Sequence, residues 1–453
     1  RLTFGIEEIW QNELTQLPQV GKSQFKVIGR YWGACQFRDT GLPVCPTDRE
    51  PFDSTTTHPD QHGAIYIPDR EGGVTLMVGN DGGVYKQTVA EGEEFDNGKW
   101  GGGAQTGFNT LLPYDARIAK DGTVWAGLQD NGQMKITPNG QQIMTEGGDG
   151  FYAAVDPNNS DIAYEEYTNG AMKVTIDGGK TWRDINPVLV NAAFATPFMM
   201  DPLDSDHLIV GGRDIAVTVT GETTSTGTWR RVYDLGTQKN PGVADAVAAA
   251  DDPDNRLSAV DLHGKSAYVG FCGWCDVITQ GTPFKNGVAT NVGGSKPPVK
   301  GGPEGWHIAK AKGLPNRFIT SIEIDPKKPK TIYLTLAGYS SRRWAAPGAV
   351  GEKALNVGKG HVFKSTNAGA SFKSVSGNLP NTPANYVIRR GKHLIVGNDL
   401  GVYISKNLKG NKWAKLGKGL PAAPVVSLQL KPGNPNIMIV ASYGRGVWEY
   451  RFK

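Results

Sequence analysis

Residues 360–448 carry one pattern almost three times over. An apolar stretch is followed by a tight turn, either Arg390-Gly391-Lys392 or Lys431-Pro432-Gly433-Asn434. A second apolar stretch comes next (HLIVGN, IMIVAS), then a glycine-bearing corner, Asp399-Leu400-Gly401 or Tyr443-Gly444-Arg445-Gly446. A third stretch (VYIS, VWEY), a polar turn and an aromatic-led fourth (KWAKLG) complete the unit. Four short strands recurring every ~40 to 50 residues cannot bury their faces alone, so each unit must stack on its neighbours.

The same unit recurs upstream, with starts near Gly63, Leu111, Gly147, Ala193, Leu257 and Phe318. The chain therefore reads as all-β: a β-propeller of about eight four-stranded blades, with seven to ten as the range. It reads as a single domain, 1–453, with an incomplete first blade near residues 2–30. Composition agrees: 60 Gly and 28 Pro among 453 residues suit many strands joined by tight turns. No apolar run is long enough to span a membrane. The net charge of +4 is scattered over turns, which argues against a nucleic-acid partner.

The last unit ends after its third strand. An open ring would expose an unpaired sheet edge, so closure is expected from pairing of the N- and C-terminal strands. The chain begins at Arg1 with no Met and no signal peptide. The expectation is that an upstream segment was removed, and that a fragment of the same precursor completes the first blade.

Four cysteines form two close pairs, Cys35/Cys45 and Cys272/Cys275. Their number and local pairing favour two disulfides and an oxidising, extracellular setting. The first pair lies in a long loop, 31–60. A redox reading of Cys272-Gly-Trp-Cys275 lacks the helix that would activate the first thiol. A zinc reading lacks two nearby further ligands.

In a blade whose strands run from the axis outward, corners alternate between the two ends of the ring. Turns such as Asp156-Pro157-Asn158-Asn159, Asp325-Pro326-Lys327-Lys328 and Asp177-Gly178-Gly179 share one end and carry residues with local turn roles. The other end receives the less ordinary corners. These supply Asp60, Asp130 and Asp149 as candidate carboxylates. They also supply His58, His62, Asp81, Asn131, Arg213, Trp274, Arg343, Trp344, Asp399, Tyr443 and Arg445 as candidate ligand contacts. His58, Asp60 and His62 would make a strained metal site from one short loop, so no metal is expected, and no motif calls for a cofactor.

TIDGGKTW (175–182) resembles the Asp-box of BNR-repeat proteins, and STNAGASF (365–372) is a weaker copy with Asn367 for Asp and Phe372 for Trp. With DQHG, GNDGGVY, GLQDNG, GGDGF, GNLP and YGRGVWEY, the chain resembles secreted bacterial propellers of the sortilin and xyloglucanase-like superfamily. That resemblance implies structural Asp-box turns and a site at the opposite end. A sialidase would set three arginines on a substrate carboxylate, and Arg213, Arg343 and Arg445 lie at that end, but the early Arg-Ile-Pro motif is absent. A xyloglucanase-like inverting glycoside hydrolase would use two Asp carboxylates roughly 6.5–9.5 Å apart. The expectation is a secreted propeller that binds an extracellular glycan at its axial mouth, with glycoside hydrolase activity as an open question. The alternative is a non-catalytic protein- or peptide-binding propeller of sortilin type.

Overall fold

A computed structural model describes residues 2–12, 24–29, 36–37, 43–44, 57–101, 110–236, 255–273, 286–338 and 360–453. They form two compact units, Arg1–Thr110 and Leu111–Lys453.

The first unit contains two three-stranded antiparallel sheets. One is Thr3–Gly5, Ile9–Asn12 and Phe25–Gly29; the other is Gln61–Pro68, Val74–Asn80 and Gly83–Val89. Ile9, Ile28, Leu76, Val78, Tyr85, Phe95 and Trp100 form its core. Trp100 donates its indole N–H to the Ile28 carbonyl at 2.5 Å, which satisfies a polar atom inside that core.

The second unit contains seven antiparallel sheets in sequence, blades I to VII. Blade I is Pro113–Ile118, Val124–Leu128, Gly132–Ile136 and Gln142–Glu146; blade II is Ala153–Val155, Ala163–Glu166, Met172–Thr175 and Arg183–Asp184. Blade III is Phe198–Asp201, Asp204–Gly211, Asp214–Thr218 and Arg230–Asp234; blade IV is Asn255–His263, Ser266–Gly273, Asn286–Thr290 and His307–Ile308. Blade V is Ile319–Ile324, Ile332–Leu336, Val362–Ser365 and Lys373–Ser374; blade VI is Ala384–Arg390, His393–Asn398, Gly401–Ser405 and Trp413–Lys415. Blade VII has three strands, Val425–Lys431, Asn434–Ser442 and Gly446–Arg451.

The first strand of each blade is innermost. It contacts the first strands of the blades before and after it, and that of blade VII contacts that of blade I. Burial explains the arrangement. An apolar cluster sits at every boundary: Trp125 with Ala153 and Val155 between I and II, Ile332 and Leu334 with Tyr268 and Val288 between IV and V, and Ile439 and Ala441 with Ala116 and Leu128 between VII and I. Each blade buries both faces this way, which is why its second strands read as continuous apolar runs such as LIVG and IYLTL.

The expected pairing of N- and C-terminal strands is not among the described strand pairings. The last sheet ends at Gly446–Arg451, and blade VII meets blade I through side chains and their shared core. Counting repeats along the whole chain gave about eight blades. Seven of the sheets belong to the second unit; in the first, the repeat starting near Gly63 and the incomplete one near residues 2–30 are each three-stranded sheets.

The turn at 175–182 is closed by side chains. Asp177 Oδ1 accepts the N–H groups of Lys180 and Thr181 at 3.0 Å each, Oδ2 accepts the Thr181 hydroxyl at 2.7 Å, and Thr175 Oγ1 accepts Gly179 N–H at 2.9 Å. Trp182 then meets Trp125 edge-on at 5.7 Å. The turn at 365–372 repeats this with an amide: Asn367 Oδ1 accepts Ser371 N–H at 2.9 Å, and Ser365 Oγ accepts Gly369 N–H at 3.0 Å. Donors from Thr181 lower the Asp177 carboxyl to about 2. Its contribution to stability is therefore present above its ordinary value of 3.8 and lost as pH falls toward about 2. Asp177→Asn keeps an Oδ1 acceptor, as Asn367 does. We expect somewhat lower stability at neutral pH and a weaker loss between those two values, read from acid-unfolding curves of the variant and the parent.

Candidate functional site

In the first unit, His62 Nε2 pairs with Asp81 Oδ1. His58 is buried, and its carbonyl accepts Asn80 Nδ2 at 3.0 Å and Gln61 Nε2 at 2.5 Å. Asp60 is exposed and occupies the left-handed region at φ 60. Among the described residues no three His, Cys, Asp or Glu side chains are gathered tightly enough to hold a metal ion. Cys35, Cys45, Trp274, Cys275, Arg343 and Trp344 lie outside the described residues. Cys272 is buried and disulfide-bonded.

In the second unit, Asp130, Asn131, Asp149 and Tyr443 come together at the corner of blade I. Asp130 has φ 57, and its N–H donates to Asp149 Oδ1 at 3.1 Å. Asn131 donates its amide to the Gln129 carbonyl at 2.9 Å. The corner is held by close backbone approach: Gly132 N–H donates to the Gly148 carbonyl at 2.7 Å, and Gly150 N–H to the Leu128 carbonyl at 2.8 Å. A Cβ on Gly132, at φ 64, would sit 1.9 Å from the Glu146 carbonyl oxygen. The Asp149 carboxylate thus braces the backbone that positions Asp130.

The remaining candidates sit on other corners. Arg213 pairs with Asp234 at 3.2 Å. Asp399 accepts Asn385 Nδ2 at 3.0 Å, and burial raises its carboxyl although Asn385 opposes this. Arg445 is exposed and donates to its neighbour's carbonyl, Gly444 O, at 2.7 Å.

Side chains outside the predicted set join these corners. Tyr114 donates to Gln129 Oε1 at 2.9 Å, and Tyr443 bonds the same oxygen. Tyr443 and Tyr114 are 5.5 Å apart by ring centroid, Tyr114 and Phe151 4.7 Å, and Phe151 and Phe194 5.2 Å. This aromatic row runs from blade VII across blades I and II to the connection entering blade III. Its far end is open: Phe194 is 53% exposed and Tyr167 40%. The Asn169 N–H donates to the Phe194 carbonyl at 2.9 Å, which ties the two segments together.

The seven inner strands enclose a second feature, an axial cavity of about 650 Å³. It extends to the end formed by the first-to-second turns, where Pro157, Pro202, Pro326 and Pro432 line it. Sequence reading gave those turns local roles only. The polar wall comes instead from inner-strand positions, away from the corners: Arg117, Asp261, Glu323, Tyr386, Arg389 and Gln429.

Several of these residues, with Asp115, do a common structural job. Inner strands of adjacent blades do not form ladder pairs with each other, so their edge N–H groups need other acceptors. Asp115 Oδ2 accepts Ala153 N–H at 3.4 Å, Asp261 Oδ2 accepts Ile324 N–H at 2.5 Å, Glu323 Oε1 accepts Arg389 N–H at 3.1 Å, and Gln429 Oε1 accepts Ile118 N–H at 2.7 Å. In each case the acceptor is on one blade and the donor on the next, including the step from VII to I. Asp115 also accepts the Ser427 hydroxyl at 2.6 Å and Arg117 Nε at 3.0 Å, and Arg117 Nη2 donates to Tyr386 OH at 3.0 Å. Burial works against the Arg117 charge, but Asp115 and Tyr386 outweigh it and hold the guanidinium protonated. Burial pushes the Tyr386 hydroxyl up to about 12, against the pull of Arg117.

No family model and no curated protein matches the chain. Solved structures do. YCF48 from Cyanidioschyzon merolae superimposes with a TM-score of 0.51 at 13% identity, covering 76% of this chain and 96% of that one. A structure of YCF48 bound to D1 peptide gives 0.46 at 10% identity, over 77% and 94%. The β-propeller domain of Cps50 (Swd1) from Myceliophteria thermophila gives 0.43 at 9%, over 76% and 97%. At these identities the likeness establishes the β-propeller fold and nothing finer.

Proposed function

We propose that the second unit is a non-catalytic recognition module that binds an extended segment of a partner protein across the corner end of blades VII, I and II. The observation that carries this reading is the aromatic row from Tyr443 to Phe194, in which Phe151 is buried as support and Phe194, with Tyr167, is the accessible end. Rigid aromatic rings give large contact area at low entropic cost, and such residues dominate protein interfaces. Val188 and Val190, on the same connection as Phe194, are also exposed, at 79% and 38%. Asp130 and Asp149 rim it with carboxylates, which favours a segment that alternates apolar and basic side chains. The hydrolase reading needs two carboxylates free to act on either side of a bond. Asp149 is instead bonded to the backbone of Asp130. The disulfide at Cys272 supports an oxidising, extracellular compartment for this binding.

The test sets a displayed random-peptide library beside a glycan array. Peptides carrying apolar and basic residues are expected to be selected, and Phe194→Ala or Tyr167→Ala to weaken the best of them by about tenfold or more. Selection of glycans with a blank peptide library would sink the reading and restore the sugar-binding one, in which the same rings stack on pyranose faces.

A further inference from the structure

The axial cavity has no part in that reading. We propose that it is a binding site for a small organic cation, an ammonium or guanidinium group whose charge is taken by Glu323 and Asp261.

The inference starts from which charges in the wall are already matched. Asp115 is paired with Arg117 at 3.0 Å and Asp325 with Arg389 at 2.7 Å. Asp201 faces His207 at 3.2 Å and also accepts the Gly264 and Leu203 N–H groups. Asp261 and Glu323 have backbone donors but no cation within ion-pair distance among the described residues. They are neighbours: the N–H that Asp261 Oδ2 accepts belongs to Ile324, the residue after Glu323. Burial raises both carboxyls above their ordinary range; Asp201 adds to the rise at Asp261, and Asp261 and Asp325 add to it at Glu323, against the pull of Arg117 on Asp261 and of Arg389 on Glu323. Two adjacent carboxyls inside protein, each without an ion-pair partner of its own, favour either keeping protons or meeting a cation.

The space suits an organic cation. The cavity volume falls within the roughly 300–1,000 Å³ of small-molecule sites. Ile322 and Leu428 supply apolar wall, and Arg117 beside Tyr386 sets a charged boundary that orients a cation toward blades IV and V. The described residues offer no third ligand for a bare metal ion. Lys120, which donates to Asn158 Oδ1 at 2.6 Å, and His263, the last residue of the innermost strand of blade IV, also line the cavity.

Binding then displaces protons, so affinity must rise with pH. Without a cation, raised folded-state carboxyls make stability fall as pH climbs through and above the ordinary carboxylate range, and a bound cation opposes that fall. The probes are methylguanidinium, putrescine and lysine methyl ester, with inorganic phosphate and acetate as anion controls, followed by calorimetry on the intact chain. A cation is expected to bind at about pH 8 with proton release, and about tenfold more weakly near pH 5. Glu323→Gln and Asp261→Asn keep their oxygen acceptors for the neighbouring N–H groups, so both should fold. Each should weaken binding about tenfold or more while the unfolding midpoint at low pH stays put. A lysine-tipped peptide that binds where free cations do not, and loses binding in Glu323→Gln, assigns the same chemistry to a partner's side chain. Binding of the anions instead, cation affinity indifferent to both variants, or no binding of any cation or lysine-tipped peptide up to about 50 mM would overturn the proposal.

Discussion

Asp115→Ala is expected to destabilise the second unit by about 3–5 kcal/mol, the largest effect of any single side-chain truncation argued from this fold. The carboxylate is 1% exposed and serves three blades at once. It holds Arg117 on its own strand, the Ser427 hydroxyl on blade VII and the Ala153 N–H on blade II. Removing it leaves a guanidinium that keeps Tyr386 as partner but loses its ion pair, and two further donors lose an acceptor. Arg117→Met/Asp115→Leu should recover much of the loss, because a buried pair replaced by packed apolar groups no longer leaves an isolated charge. Urea unfolding, monitored by fluorescence of the buried Trp125, measures both. An effect below about 1 kcal/mol for the single variant would show that the inner strands are held by apolar packing alone.

Gly132→Ala should be the next most damaging change, at about 3 kcal/mol or more. Two penalties combine there. The residue adopts φ 64, and a Cβ would lie 1.9 Å from a backbone oxygen that has no freedom to swing aside. The corner would have to open, and Asp130 and Asp149 would separate with it. Gly140→Ala is the matched control: it has φ 87 but nothing within 4 Å of the added carbon, so only the backbone term remains. If the two variants unfold at the same urea concentration, close packing at the blade I corner is not what fixes its shape.

The fold was legible because the blade unit is written in local chemistry. Apolar runs such as HLIVGN and IMIVAS alternate with glycine turns, and Asp177 and Asn367 close their turns through contacts within five residues.

The candidate site was legible only in part. Asp130, Asn131, Asp149 and Tyr443 do meet at one corner. Asp149 was read for its acidity, whereas its carboxylate serves a backbone N–H nineteen residues away in sequence. Tyr114, Phe151 and Phe194 were passed over because each looks like an ordinary core aromatic until three blades bring them into line. The axial wall had a signal that went unused. PYDARI, AVDL and SIEI each place an acid inside a strand that must be buried, and a buried acid requires a donor, a counter-charge or a proton.

The location of binding is the point on which the functional reading rests. Hydrogen–deuterium exchange on the intact chain, with and without the tightest peptide selected from the displayed library, reads it directly. Protection is expected at residues 129–131, 148–152, 167–169 and 190–194, the corners that carry the aromatic row. Protection confined to the turns at 120–122, 157–159 and 202–204, with the aromatic corners unchanged, would contradict it.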